Sequence, residues 1–124
     1  DKADFFGKAN EETAVILQVE GQDGVNALPE ILKVKGVDVL FVGPYDLSAS
    51  LGIPGQVDHP KVIEQMNEIM AQAKEVGVAV GFFVDDVKKA VEWKNRGVQY
   101  VSFSSDVGEL FTRFKENADY FKEH

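Results

Sequence analysis

The stretch VDVLFVGPYDLS, residues 37–48, joins an apolar run to a turn and to the start of a helix. Its first six residues are almost continuously apolar, which is typical of a strand covered on both faces. Gly43 lets a ligand approach the backbone closely, and Pro44 fixes the turn. The backbone amides of Tyr45 and Asp46 then open a helical turn. The stretch therefore predicts one strand–helix unit, with a ligand-binding loop at the end of its strand.

The same kind of unit recurs along the whole chain. Three further apolar runs predict strands, namely residues 14–19 (AVILQV), 78–83 (VAVGFF) and 99–103 (QYVSF). Helical periodicity fills the segments between them, with the clearest apolar stripes at residues 62–76, 87–94 and 107–121. Weaker patterns at residues 1–10 and 24–34 predict a preceding helix and a helix after the first strand.

Start and stop residues support the three clear helices. Asp58 ahead of Pro60 predicts the start of the first, and Gly77 its end. Gly97 predicts the end of the second, and Asp106 is a candidate N-cap for the third. Alternating strands and helices imply parallel strands with right-handed crossovers.

Two architectures agree with this α/β alternation. One is a free-standing doubly wound sheet of flavodoxin-like size, and the other is half of a (β/α)8 TIM barrel. A complete barrel takes about 250 residues, whereas this chain has 124. The length permits a single segment, residues 1–124, and the periodicity alone does not separate the two folds.

Composition excludes several classes of partner. The formal charge of −8 argues against nucleic acid and against anionic membrane surfaces, which require basic patches. No stretch approaches the roughly 18 apolar residues that a membrane-spanning helix needs. The chain contains no cysteine, so it has neither disulfides nor thiol chemistry, and a cytoplasmic enzyme is favoured.

Two acidic residues stand where parallel strands end. Glu20 closes the first strand, and Asp46 follows the second. Adjacent parallel strands lie about 4.8 Å apart, so two such carboxylates can share one cation. Magnesium commonly uses one or two carboxylates and keeps its other positions for water and substrate. Solvated loop residues or helix caps are the alternative interpretation of both.

Other polar and aromatic residues carry weaker signals. His59, in a loop before Pro60, is more typical of a helix entry than of a catalyst, and Trp93 is expected to pack in the core. Phe82 and Phe83 end the third strand, and one of them points toward the mouth of a barrel. No lysine stands at a strand end, so Schiff-base aldol chemistry has no candidate. A phosphate-receiver domain, which also needs such a lysine, is disfavoured for the same reason.

Several of these segments together resemble the HpcH/HpaI family of class II pyruvate aldolases. The matching segments are Gln18-Val19-Glu20, Gly24-Val25, Gly36-Val37-Asp38, Phe41 to Ser48, Leu51-Gly52, His59-Pro60 and Ser105-Asp106-Val107. The resemblance covers nearly the whole chain. It implies a TIM-barrel fold and, for this chain, the C-terminal half of that barrel with four parallel strands.

The resemblance also implies roles for individual residues. Glu20 and Asp46 match the family's ligands for a divalent metal, Mg2+, Mn2+ or Co2+. Gln18 matches a contact of the bound keto acid, and the amides of Tyr45 and Asp46 match those that hold the pyruvate carboxylate. Phe83 stands where the family often has an aliphatic residue facing the aldehyde.

The activity implied is metal-dependent cleavage or formation of 4-hydroxy-2-oxo acids from pyruvate and an aldehyde, through the enolate of metal-bound pyruvate. The family's catalytic histidine, its acidic partner and the enolate-binding arginine belong to the first half of the barrel. No catalytic residue is therefore expected in this chain, and the chain alone is expected to be inactive. The resemblance further implies a homo-oligomer, commonly a hexamer with helices exchanged between subunits. A small flavodoxin-like regulatory or binding domain without catalysis remains the alternative.

Overall fold

The structure, a computed structural model, describes residues 2–124, with side chains from Phe5 onward. Within these residues the order of elements is α1 (Lys2–Glu12), β1 (Ile16–Val19), α2 (Gln22–Asn26), α3 (Leu28–Ile31), β2 (Val39–Val42), α4 (Pro44–Ser50), α5 (Pro60–Glu75), β3 (Ala79–Val84), α6 (Val87–Arg96), β4 (Tyr100–Phe103) and α7 (Asp106–Glu123). All four predicted strands are present. Of the predicted opening helix, residue 1 lies outside the described part.

The four strands form one parallel sheet in the order β1-β2-β3-β4. Val19 pairs with Val42, and Val42 in turn pairs with Phe82, so the carboxyl ends of the strands meet along one edge. Each connection leads to the next neighbour in the same direction, as in a barrel. A doubly wound sheet reverses this direction once, at the point where its ligand binds. The strand order therefore favours the barrel arrangement over the flavodoxin-like one.

One face of the sheet is packed against helices. The buried core on this side is made by Leu40 and Val42 from β2, Val80, Phe82 and Val84 from β3, Val62, Met66, Ile69 and Ala73 from α5, and Trp93 from α6. Phe82 is fully buried, and its ring meets that of Trp93 edge to face with 4.7 Å between the centroids. The prediction that Trp93 packs in the core is confirmed.

The opposite face of the sheet is largely open, whereas the continuous apolar runs predicted cover on both faces. Ile16 and Tyr100 on this face are 41% and 44% exposed. Gly81 lies beneath the edge-to-face rings of Phe41 and Tyr100, because a Cβ there would come within 2.8 Å of each ring. In a closed barrel this face lines the interior and is covered. The apolar runs therefore fit the environment of a closed barrel better than that of an open four-stranded sheet.

One predicted helix entry is confirmed, and one predicted cap is wrong. His59 is the N-cap of α5, with its Nδ1 atom accepting the Lys61 N–H at 3.2 Å, while Asp58, just ahead of it, forms an ion pair with Lys89 at 2.5 Å. Ser105, and not Asp106, caps α7, where its hydroxyl oxygen accepts the Gly108 N–H. In α7 the residue one position before the predicted cap therefore has the cap geometry.

The single helix predicted at residues 24–34 is instead two short helices, α2 and α3, joined at Ala27. Pro29 explains the break. It has no backbone N–H and cannot donate the bond that would continue α2. The described residues include no helix whose length and apolar character would suit a membrane crossing.

The cap of α6 gives a pH-dependent prediction. The carboxylate of Asp86 accepts the amides of Lys88 and Lys89, and these bonds lower the pKa of Asp86 below its ordinary 3.8. A carboxyl group whose pKa is lower in the folded state stabilises the fold above its unfolded pKa, and this contribution is lost as the pH falls through the folded pKa. We expect Asp86→Asn to be less stable than the wild type at neutral pH, and the difference to vanish in acid. Urea denaturation across this range measures it, and a difference independent of pH would contradict the assignment.

Candidate active site

The carboxyl ends of β1 and β2 bring Glu20 and Gly43 side by side. Val19 and Val42 form the last pair of the β1–β2 ladder, and Glu20 and Gly43 are the next residue on each chain. Gly43 is the N-cap of α4, and Asp46 lies in the first turn of that helix. Both predicted metal ligands therefore start from the same corner of the sheet.

The Glu20 carboxylate lies over the Cα of Gly43. A Cβ built at Gly43 would come 2.8 Å from Oε2 of Glu20 and 3.1 Å from Nε2 of Gln18. The backbone of Gly43, with φ −90° and ψ 96°, is open to any residue, so the requirement for glycine here is one of space. The side-chain amide of Gln18 donates a hydrogen bond to Oε2 of Glu20. Gln18 thereby holds the carboxylate toward the backbone of α4.

A cavity of about 220 Å³ opens at this corner. Its lining residues are Gln18, Phe41, Gly43, Pro44, Tyr45, Asp46, Phe83 and Ser102. All four residues predicted to contact substrate are among them, and Glu20 adjoins the cavity through Gly43. The structure thus brings the predicted site residues together, while the species that they bind stays a prediction.

At the start of α4, backbone N–H groups without a partner in the helix lie near this cavity. The first backbone bond of the helix runs from the Leu47 N–H to the Gly43 carbonyl oxygen at 2.9 Å. The amides of Tyr45 and Asp46 precede it, so they lie outside the helical ladder. Such groups are available to an anionic oxygen, as the sequence predicted.

Ser48 joins the first turn of α4 to the loop that follows this helix. Its side chain is fully buried, and its hydroxyl donates to the Tyr45 carbonyl oxygen at 2.6 Å while accepting the Gly55 N–H at 2.9 Å. These two bonds tie the first turn of α4 to the loop that follows the helix. Ser48 belongs to the motif at residues 37–48 but had no predicted role, and its burial reveals that role.

Tyr45 bridges the ends of β2 and β3. Its hydroxyl donates to the carboxylate of Asp85, and its ring meets Phe83 edge to face at 6.1 Å. The hydrogen bond to Asp85, with smaller contributions from burial and from the charges of Asp85 and Asp58, raises the pKa of Tyr45 to about 12. Tyr45 is therefore a neutral donor at physiological pH. Asp85 was missed by the sequence analysis, although an acidic residue directly after a strand was the signal used for Asp46.

The donor set is consistent with a divalent cation in an open site. In the part of the chain that the structure describes, no group of three or more histidine, cysteine, aspartate or glutamate side chains is placed to hold a metal. A closed structural ion would require such a group. Two carboxylates, an amide side chain and space for other ligands match magnesium, which typically takes one or two carboxylates and completes its shell with water and substrate.

Gly43 supplies a prediction about this site. We expect Gly43→Ala to weaken binding of Mn2+ about tenfold or more, because the new methyl group displaces the Glu20 carboxylate while the backbone conformation stays allowed. Isothermal titration calorimetry measures the affinity, and thermal melting is expected to change little. Gly21→Ala is the matched control, since a Cβ at that neighbouring position meets nothing within 4 Å. Equal losses in both variants would contradict the close approach of Glu20.

Comparison with known proteins places this geometry in a family. The family model described as HpcH/HpaI aldolase/citrate lyase matches residues 2–112. The 5-keto-4-deoxy-D-glucarate aldolase of Citrobacter koseri is 35% identical over 122 residues, which are 96% of this chain and 46% of that enzyme. The chain spans about half the length of the curated relatives it matches.

Two solved structures share the fold closely. An HpcH/HpaI aldolase from Desulfitobacterium hafniense matches with a TM-score of 0.92 and 36% identity, over 100% of this chain and 48% of that one. An HpcH/HpaI aldolase/citrate lyase family protein from Burkholderia cenocepacia matches with a TM-score of 0.89 and 38% identity, over 98% and 47%. The prediction of four parallel strands equivalent to half of a TIM barrel is confirmed. By its sequence and by its fold, the chain belongs to the HpcH/HpaI aldolase/citrate lyase family.

Proposed function

We propose that this chain supplies the C-terminal half of a class II pyruvate aldolase, a carbon–carbon lyase that cleaves or forms 4-hydroxy-2-oxo acids. One observation carries the proposal: Gln18 and Asp46 line one cavity at the strand ends, Glu20 adjoins it through Gly43, and two backbone amides outside the helical ladder lie beside it. The aldolases among its relatives support the lyase class. A cytoplasmic location stays a prediction from composition.

Within this proposal, Glu20 and Asp46 hold a divalent ion, Mg2+, Mn2+ or Co2+. When bound, the ion supplies positive charge that stabilises the enolate of pyruvate. The amides of Tyr45 and Asp46 hold the pyruvate carboxylate, and Gln18 both orients Glu20 and contacts the keto acid. The amides are held by the helix start and by Ser48, so they need little reorganisation as charge develops.

The second reactant has its own side of the cavity. With the metal and the keto acid on the side of Gln18 and Asp46, the remaining lining includes the aromatic pair Tyr45 and Phe83. We assign Phe83 to the aldehyde. In condensation, C3 of pyruvate loses a proton and bonds to the aldehyde carbon, whose oxygen takes up a proton. No residue of this chain is assigned to these proton transfers, so we expect the chain alone to be inactive.

The test uses a complete barrel, made by joining the first half of the Citrobacter koseri aldolase to this chain. We expect it to exchange the C3 protons of pyruvate for deuterium when Mg2+ is present, as followed by NMR, and to consume pyruvate once an aldehyde is added. The chain alone is the control and is expected to do neither. Exchange that persists after chelation of the metal, or that the chain shows by itself, would contradict the proposal.

We also propose that the protein self-associates through α7. The large apolar residues on its stripe are between 58% and 85% exposed, namely Val107, Leu110, Phe111, Phe114 and Phe121. The outer face of β4 is open as well, with Phe103 48% exposed, so α7 does not cover the strand that precedes it. An apolar face of this size on a helix is typical of an interface.

Substitution in α7 tests this association. We expect Phe111→Ser combined with Phe114→Ser to lower the mass found by sedimentation equilibrium, because both rings lie on the exposed stripe. Glu116→Ser is the control, since Glu116 pairs with Arg113 on the charged side of the helix. A wild-type chain that sediments as a monomer would refute the proposal.

A further inference from the structure

A carboxylate that the proposed chemistry does not use lies beside the cavity and contacts one of its lining residues. Asp85 directly follows β3, and it accepts the hydroxyl of Tyr45 from the end of β2. Tyr45 is 41% exposed, so packing alone does not fix its ring. The hydrogen bond fixes the ring edge to face against Phe83. Tyr45 and Phe83 line the cavity, and together with Asp85 they also line a small adjoining pocket; these three residues are called the rim wall below.

The charge of the rim wall is negative. Lys89, which lines the adjoining pocket, forms an ion pair with Asp58, at 2.6 and 2.5 Å from its two carboxylate oxygens. Asp86, next to Asp85, is engaged as the cap of α6 and does not line this pocket. Among the described residues that line the pocket, two carboxylates, Asp58 and Asp85, therefore face one lysine. An anionic group entering along Phe83 meets this excess of negative charge, whereas an uncharged chain meets two aromatic rings.

We propose that Asp85 determines aldehyde specificity, by positioning the Tyr45 ring against Phe83 and by disfavouring aldehydes that carry a carboxylate, so that this site takes uncharged aldehydes. The inference rests on the aldolase function proposed above and adds the substrate class to it. Asp85 acts partly through Tyr45, as a positioning residue, and partly through its own charge. The two actions are separable by substitution.

The experiment compares two aldehydes of equal chain length in the complete barrel. Butanal and succinic semialdehyde differ in having a methyl or a carboxylate at the far end. Asp85→Asn keeps an acceptor for the Tyr45 hydroxyl and removes the charge. We expect it to raise the kcat/KM ratio of succinic semialdehyde to butanal about tenfold, the size expected of one charge near a protein surface. Asp86→Asn, one residue along and outside the cavity, is the matched control and is expected to leave the ratio unchanged.

Tyr45→Phe tests the positioning role. It keeps the ring and removes the hydrogen bond, so we expect the KM for butanal to rise several-fold while the charge-dependent ratio changes little. The inference would be overturned if Asp86→Asn changed the kcat/KM ratio of the two aldehydes as much as Asp85→Asn does. It would also be overturned if Asp85→Asn left that ratio unchanged. Deuterium exchange at C3 of pyruvate, measured without aldehyde, separates the two levels. Absence of exchange in the wild-type barrel refutes the aldolase function itself, whereas exchange with an unchanged ratio refutes only the role of Asp85.

Discussion

Replacing Asp46 with asparagine is expected to weaken binding of Mn2+ to this chain by more than about 100-fold. Asp46 supplies one of the two carboxylates proposed to hold the metal, and even residues that merely orient metal ligands cost about 10–100-fold in affinity when changed. Asparagine keeps the size of the side chain and its place in the first turn of α4. The loss therefore reports the charge of the ligand and not the fold. Calorimetric titration with Mn2+ measures it.

The matched control is Asp23→Asn. Asp23 occupies the first turn of α2, as Asp46 does that of α4, but it lies outside the cavity. This variant is expected to bind Mn2+ as the wild type does, within about twofold. A similar loss in both variants would mean that the metal responds to general negative charge. Undiminished binding by Asp46→Asn would remove Asp46 from the site.

Replacing Phe82 with alanine is expected to lower the free energy of unfolding by about 3–5 kcal/mol. Phe82 is fully buried between the sheet and α6, where its ring meets Trp93. The change removes the packed ring and leaves a cavity that its neighbours fill only in part. The free energy of unfolding of an ordinary domain is about 5–15 kcal/mol. The substitution therefore removes a large part of the stability. Urea denaturation followed by Trp93 fluorescence measures it.

Phe121→Ala is the control for this stability prediction. Phe121 is 85% exposed at the end of α7, and surface substitutions usually change stability by less than about 0.5 kcal/mol. The comparison is made at a concentration where the association state of both variants is the same. If both substitutions lower the free energy of unfolding equally, the burial of Phe82 in the core is contradicted.

The strand pattern was predictable from the sequence because parallel strands leave a strong local signal. Runs such as residues 37–42 are apolar throughout, and the structure has a strand, Val39–Val42, inside that run. The positions of Glu20 and Asp46 at strand ends followed from the same signal. Their placement along one edge of the sheet needed only the rule that parallel strands end on one side of a sheet.

Contacts between distant parts of the chain were not predictable in this way. The bond from Tyr45 to Asp85 joins residues 40 positions apart, and nothing local in either segment announces it. The space above Gly43 is set by how the Glu20 side chain folds back from the neighbouring strand. The N-cap of α7 was missed by one residue, because Ser105 and Asp106 can both act as caps.

The open face of the sheet has a different cause. Ile16 and Tyr100 lie on the face that lines the interior of a closed barrel, and apolar side chains match that environment. The half that is described here leaves these side chains uncovered. The apolar stripe of α7 follows the same logic, since a pattern predicts a buried face without saying what buries it.

Paramagnetic NMR with Mn2+ tests most directly whether one cation is held by Glu20 and Asp46 together. At substoichiometric metal, the account predicts that the amide signals of Gln18, Glu20, Gly43 and Asp46 broaden first and to a similar degree. Signals from the far end of the sheet, such as that of Val78, are expected to persist. Broadening centred on only one of the two carboxylates, or on acidic residues of α7 such as Glu116, would contradict a shared metal site and with it the aldolase proposal.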